Sequence, residues 1–70
     1  MVDVNKIKER LGQEIKYCAL SQSEIAKQVG ISQQQVSCYL LGKKMPALDT
    51  FAKLCQILNA DPAYILGLTN

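Results

Sequence analysis

The sequence has no histidine and no tryptophan, and its few cysteines lie far apart in the chain. Cys18, Cys38 and Cys55 form no Cys-x-x-Cys pair, whereas structural zinc sites use closely spaced cysteine and histidine ligands. Histidine is the usual general base near neutral pH, so the chain has no Cys–His or Ser–His pair for nucleophilic catalysis. The acidic residues are scattered singly, and no glycine-rich loop could hold a phosphate. We therefore expect reduced cysteines, no metal and no enzymatic activity.

The chain also lacks the length for a large core and the apolar runs of a membrane protein. Its 70 residues correspond to a single small domain. A cavity for a buried cofactor would take up most of the core of so short a chain. No apolar run approaches the roughly 18 residues of a membrane span, and the polar start has no signal-peptide core. We expect one domain over residues 1–70, without a cofactor or a membrane contact, in the cytoplasm.

The net charge of +2 is low, but the charges are unevenly distributed. The central part, residues 21–48, contains Lys27, Lys43 and Lys44 against the single acid Glu24. The segment from residue 49 to the end contains one lysine and two aspartates. The middle of the chain is therefore its cationic part, which is where an anionic partner would bind.

Hydrophobic periodicity predicts an all-α fold of five helices and no strands. Ile7, Leu11 and Ile15 recur every four residues and predict a first helix over about 4–17. A fourth helix is predicted over about 48–58, with an inward stripe of Leu48, Phe51, Leu54, Cys55 and Leu58. Asp61 followed by Pro62 predicts a last short helix that ends before Gly67, with Tyr64, Ile65 and Leu66 packed inward.

Two capping boxes define the second and third helices. Ser21 with Glu24, and Ser32 with Gln35, have the Ser-x-x-Glu/Gln pattern in which each side chain bonds the backbone amide of the other residue. The second helix is predicted to start at Gln22 and to stop at Gly30. The third is predicted over about 33–41, closed by Gly42. Two short helices thus meet at a tight turn.

The segment 22–41 has a specific steric pattern. Ala26 lets the two helices approach closely and Gly30 forms the turn, while large apolar residues attach the pair to the rest of the domain: Ile25, Val29, Ile31, Val36 and Tyr39. The outward positions of the third helix are then Gln33, Gln34, Ser37, Cys38 and Leu41. The first three of these have side chains that suit hydrogen-bond recognition.

This pattern resembles the helix-turn-helix of the lambda-repressor-like family, the phage repressor and Cro type, and the resemblance extends over about 6–67. It includes the Leu20-Ser21-Gln22 entry to the second helix, Gly42-Lys43-Lys44 with Pro46 after the third, and the closing Tyr64-Ile65-Leu66-Gly67. The resemblance implies a compact five-helix DNA-binding domain. Its third helix would lie in the major groove and its second helix across the DNA backbone.

Candidate DNA-contacting residues follow from the resemblance and from side-chain chemistry. Glutamine can pair in bidentate fashion with the adenine edge, so Gln33 and Gln34 are candidate base contacts, together with Ser37 and Cys38. The amides and positive dipole at a helix start attract phosphate, which makes Gln22 and Ser32 candidate phosphate contacts. Lys43 and Lys44 join them in the loop that family members hold against the backbone. Gln35 is a cap partner, and the structural positions of the motif are Ala26, Gly30, Val36 and Gly42.

The chain departs from the family pattern at two places. Many relatives carry an arginine at the position of Cys38, and relatives often pair a glutamate at the position of Leu40 with an arginine at that of Ile15. Here both partners are apolar. We expect Ile15 and Leu40 to contact each other, since replacing a buried ion pair by an apolar contact avoids the cost of desolvating charges.

These observations lead to the expectation of a sequence-specific transcriptional repressor of phage or bacterial type, binding double-stranded DNA without a cofactor. One monomer would recognise half a site, so we expect a homodimer on a roughly palindromic operator. Candidate dimer residues are the C-terminal leucines Leu58, Leu66 and Leu68. An antitoxin or a restriction-control regulator would also bind DNA. The alternative from another class is a protein-interaction module that uses an apolar patch near Leu40 and Leu41.

Overall fold

The structure is a computed structural model that describes residues 2–69. Within this range the chain forms five α-helices and no strand, which confirms the predicted fold class. The helices are α1 (Val4–Tyr17), α2 (Gln22–Val29), α3 (Gln33–Leu40), α4 (Leu48–Leu58) and α5 (Pro62–Leu66). None of them is long and apolar enough to cross a membrane.

Short-range hydrogen bonds begin three of these helices where the sequence predicted. Both capping boxes are formed. Ser21 Oγ accepts a hydrogen bond from the Glu24 amide, and Ser32 Oγ accepts one from the Gln35 amide, each at 3.1 Å. The side chain of Asp61 accepts from the Ala63 amide at 3.0 Å, with Pro62 in the first position of α5. Local chemistry therefore accounts for the starts of α2, α3 and α5.

Left-handed glycines form the turns on either side of α3. Gly30 has φ of +85° and its amide donates to the Ala26 carbonyl, which ends α2. The last residue of α3 is Leu40, one position before the predicted end, and Gly42 has φ of +72°. The amide of Lys43 donates to the Cys38 carbonyl at 2.9 Å, the long bond of a glycine-closed helix end.

The core is apolar and receives side chains from all five helices. Its fully buried large members are Leu11, Ile25, Val36, Leu54 and Ile65. Among the described residues, no polar or charged residue is buried. α3 packs against α2 and α1, α4 packs against α2, and α5 packs against α1. The helix pair α2–α3 is thus held between α1 and α4, which leaves one side of α3 outside the core.

Two predicted core residues lie on the surface instead. Leu48 is 85% exposed, although Cys55, two turns later on the same face of α4, is buried. Leu48, at the start of the helix, instead borders a groove of about 590 Å³. Tyr64 is 42% exposed because α5 is a little over one turn long and directs Ile65, not its neighbour, into the core.

Arg10 holds α5 against α1 from outside the core. Its Nη1 donates to the Tyr64 carbonyl at 2.8 Å, and its guanidinium carbon lies 4.7 Å from the centre of the Tyr64 ring. The exposed ring thus forms a cation–π contact, which contributes about 0.5–1 kcal/mol at surface sites. Tyr64 therefore links α5 to α1 at the surface through its contacts with Arg10.

Candidate nucleic-acid interface

α3 has one buried side and one outward side. Val36 is fully buried and Tyr39 is 6% exposed, as the motif predicted for inward positions. Gln33 and Gln34 are exposed at the start of the helix, while Ser37 and Cys38 are half-buried one turn later. The helical spacing of four places Ser37 below Gln33 and Cys38 below Gln34. The four candidate base-contacting residues therefore share one face, with the amides at its most exposed end.

The cap at the start of α3 determines what its neighbours can do. The Gln35 Oε1 accepts from the Ser32 amide at 3.1 Å, so Gln35 serves as a cap partner, as predicted. The Ser32 hydroxyl is also engaged, because it accepts from the Gln35 amide. Gln33 and Gln34 take no part in this box and keep both amide donors and the carbonyl acceptor for a ligand.

The start of α2 carries Gln22 beside an ionised capping group. The Glu24 carboxylate accepts from the Ser21 amide at 3.1 Å. This bond and the one from the Ser21 hydroxyl lower the pKa of Glu24 below its ordinary value. The box leaves out the amides of Gln22 and Ser23, which point along the helix axis as a site for an anion. Gln22 itself is half-buried.

Lys43 and Lys44 are exposed in the loop between α3 and α4. The backbone bond from Lys43 to Cys38 fixes the start of this loop against the last turn of α3. The two lysines therefore lie at the C-terminal end of the helix whose other end carries Gln33 and Gln34. The exposed glutamines and the cationic candidate phosphate contacts thus lie at opposite ends of α3.

A further lysine, Lys8 of α1, lies beside this loop. A Cβ built on Gly42 would lie 3.7 Å from the Cβ of Lys8. Lys8 lines a groove of about 370 Å³ between α1 and the end of α3, the α1–α3 groove, which is formed by Asn5, Lys8, Glu9, Gly12, Gln13, Lys16, Leu40, Leu41 and Gly42. The sequence shows that these α1 residues share one face of the helix. It does not show that this face lies against the end of α3.

Two of the three cysteines, Cys18 and Cys55, have structural surroundings. Cys18 donates from Sγ to the carbonyls of Ile15 and Leu20, at 3.2 and 3.3 Å, and ties the end of α1 to the turn before α2. Burial raises the pKa of the Cys55 thiol, which keeps it protonated. All three cysteines are free, and residues 2–69 hold no cluster of three cysteine or acidic side chains that suits a metal.

Comparison with known proteins identifies this arrangement. A family model described as helix-turn-helix matches residues 18–65, from the end of α1 into α5. The solved solution structure of the SOS-response transcriptional repressor LexA from Eubacterium rectale superimposes with a TM-score of 0.76 at 25% identity. The match covers 94% of this chain and 72% of that one. No curated protein sequence matches significantly. The chain therefore belongs to the lambda-repressor-like helix-turn-helix family of DNA-binding transcription regulators.

Proposed function

We propose that the chain is a sequence-specific repressor that reads the major groove of double-stranded DNA with α3. The observation that carries this proposal is the outward face of α3. Gln33 and Gln34 are exposed on this face, whereas Val36 and Tyr39 on the opposite face are buried in the core of the domain. A helix of this kind fits a major groove about 12 Å wide and about 8.5 Å deep with its side chains against the base edges.

Specificity in this proposal comes from side-chain amides and affinity from charge. Each exposed glutamine can donate to N7 and accept from N6 of an adenine, a pairing that discriminates by about 1–3 kcal/mol. Lys43 and Lys44 would bind phosphates and release counterions. Gln22 and Ser32 would place phosphates at the starts of α2 and α3, where backbone amides and helix dipoles favour an anion.

The proposed active form is a homodimer on a roughly palindromic operator, acting in the cytoplasm of a bacterial cell. Two copies whose α3 helices enter successive major grooves would bind half-sites about one helical turn apart. Of the three leucines predicted for the dimer surface, Leu58 and Leu66 are half-buried and pack against the core. Leu68 is 65% exposed and remains the leading candidate among them.

The experiment that tests the proposal is selection of binding sites from a random duplex pool near physiological salt, followed by alignment of the enriched sequences. We expect inverted half-sites with centres about 10 base pairs apart, containing adenines opposite the positions of Gln33 and Gln34. A control chain with Gln33→Ala and Gln34→Ala should enrich a weaker or altered motif. Enrichment of no sequence by the wild-type chain would contradict sequence-specific recognition.

One observation favours a second candidate, a module that binds a partner protein. Leu41 is 62% exposed beside the half-buried Leu40, at the end of α3, and an exposed apolar side chain there is unlike a polar DNA contact. Salt dependence separates the two functions. DNA affinity falls steeply with salt as counterions are released, whereas apolar docking does not. Salt-insensitive binding to a protein, without duplex binding, would favour this second function.

A further inference from the structure

The α1–α3 groove places a polar stripe of the first helix beside the proposed DNA-binding loop. One stripe on α1 is formed by residues at successive spacings of 3, 1, 3, 1 and 3, namely Asn5, Lys8, Glu9, Gly12, Gln13 and Lys16. The opposite wall is the last residue of α3 with the two that follow it. This stripe lies outside the helix-turn-helix and includes none of the contacts proposed above.

Lys8 is the cation of this stripe closest to the loop. A Cβ built on Gly42 would meet the Lys8 Cβ at ordinary van der Waals distance, and Gly42 directly precedes Lys43. The Lys8 stem packs in the groove, where the residue is half-buried, and its ammonium is at the end of a flexible four-carbon chain. Lys16, two turns further along α1, has its ammonium next to an aromatic ring instead. Its Nζ lies 5.4 Å from the centre of the exposed Tyr17 ring.

We propose that Lys8 binds a backbone phosphate of the operator, so that the DNA-binding surface extends from the helix-turn-helix onto α1. This inference rests on the proposed function and adds one residue to its phosphate contacts. Phosphates on one strand follow each other at about 3.4 Å along the helix axis, so adjacent lysines can contact neighbouring phosphates. Asn5 and Gln13 add neutral donors of the kind that often bond phosphate oxygens.

A structural role is the competing explanation for a lysine at this place. The C-terminal end of α3 carries a partial negative charge, and a nearby cation stabilises a helix end by about 0.3–1 kcal/mol. Glu9 also lines the groove and offsets part of the positive charge. A purely structural lysine would lower the stability of the domain when removed, but it would leave the salt dependence of DNA binding unchanged.

The test compares Lys8→Gln with Lys6→Gln. Both substitutions remove one charge from α1, but Lys6 lines a different groove, between α1 and α5, together with Arg10 and Ile65. Affinity for the selected operator duplex and for a random duplex is measured at several salt concentrations, and melting temperatures are recorded. We expect Lys8→Gln to reduce the slope of log K against log salt by about 1 and to weaken both duplexes by the same factor.

Lys6→Gln should leave the slope within error of wild type, and Lys8→Arg should retain the wild-type slope because it keeps the charge. The proposal is overturned if Lys8→Gln changes the slope no more than Lys6→Gln does, whatever happens to the melting temperature. Failure of the wild-type chain to bind any duplex would instead overturn the proposed function, and this inference with it.

Discussion

The carbonyl of Leu40, the last residue of α3, lies directly against the backbone of Gly12 in the middle of α1. A Cβ at position 12 would be 2.7 Å from the Leu40 carbonyl oxygen, closer than real Cβ contacts allow. Glycine inside a helix costs about 0.5–1 kcal/mol relative to alanine, so its presence in α1 needs a reason. The close approach supplies that reason, because it lets the end of α3 pack on α1.

Gly12→Ala should therefore destabilise the domain, although alanine is the better helix former. The Leu40 carbonyl belongs to the backbone and cannot rotate away, so the two helices must separate, and overpacking costs about 1–3 kcal/mol. We expect a melting temperature several degrees lower, measured by circular dichroism. Gln13→Ala, at the exposed neighbouring position, should change stability by less than about 0.5 kcal/mol. A higher melting temperature for Gly12→Ala would show that the contact relaxes freely.

The two capping boxes should respond differently to acid. The pKa of Glu24 is lowered by its bonds to Ser21, so its ionised form is favoured in the folded chain. Such a group contributes stability that is present above its unfolded pKa, about 4.3, and is lost as the pH falls through the lower folded pKa. Glu24→Gln should remove this part of the acid sensitivity. Urea unfolding between about pH 5 and pH 3 measures it.

Gln35 provides the matched comparison for this acid effect. It occupies the equivalent position in the α3 box and is uncharged. Gln35→Glu should increase the loss of stability as the pH falls through the same window. Glu24→Gln should decrease that loss. Parallel unfolding curves for wild type and both variants across the window would contradict an ionised cap as the cause.

Gln33→Ala should weaken binding to the selected operator by about 1–3 kcal/mol and relax the preference at one base pair. The physical reason is the loss of a bidentate pairing with one adenine. Affinities are measured on the operator, on duplexes changed at single positions and on random duplex. Gln28→Ala, at an exposed position late in α2, is the control. An equal loss on random duplex would show that Gln33 does not read a base.

Lys43→Ala should weaken binding to every duplex by a similar factor. Lys43 is exposed at the end of α3, and each neutralised phosphate releases counterions. The magnitude of the salt slope should fall by about 1, as measured by titrations between about 50 and 200 mM salt. Lys53→Ala, at an exposed position on α4, provides the control. An unchanged slope for Lys43→Ala would remove this residue from the phosphate contacts.

Leu68→Lys should reduce dimerisation and, with it, operator affinity. A charge placed in an apolar interface loses its hydration without gaining a partner. Sedimentation equilibrium measures the association and duplex titration measures the affinity. Leu48→Lys is the comparison, because Leu48 is the more exposed of the two leucines and lies at the start of α4. If only Leu48→Lys dissociates the dimer, the interface lies along α4 and not at the C-terminal leucines.

Much of the fold follows from interactions between residues close in sequence. Ser21 bonds Glu24, Ser32 bonds Gln35 and Asp61 bonds Ala63, each across two or three positions. Such bonds form within one turn and do not depend on the rest of the molecule. The helix starts and the left-handed turn at Gly30 were therefore predictable, and so was the shared face of the candidate base-contacting residues.

The sequence by itself thus determined the helix-turn-helix, because capping bonds and periodicity are local, and its resemblance to a known family indicated the residues offered for DNA contact. Only the tertiary structure decided how the helix surfaces meet. It left Leu48 and Tyr64 outside the core, joined Arg10 to Tyr64 across 54 positions and placed Lys8 beside Gly42. Periodicity shows which face of a helix is apolar, whereas burial depends on how far a neighbouring helix extends over that face.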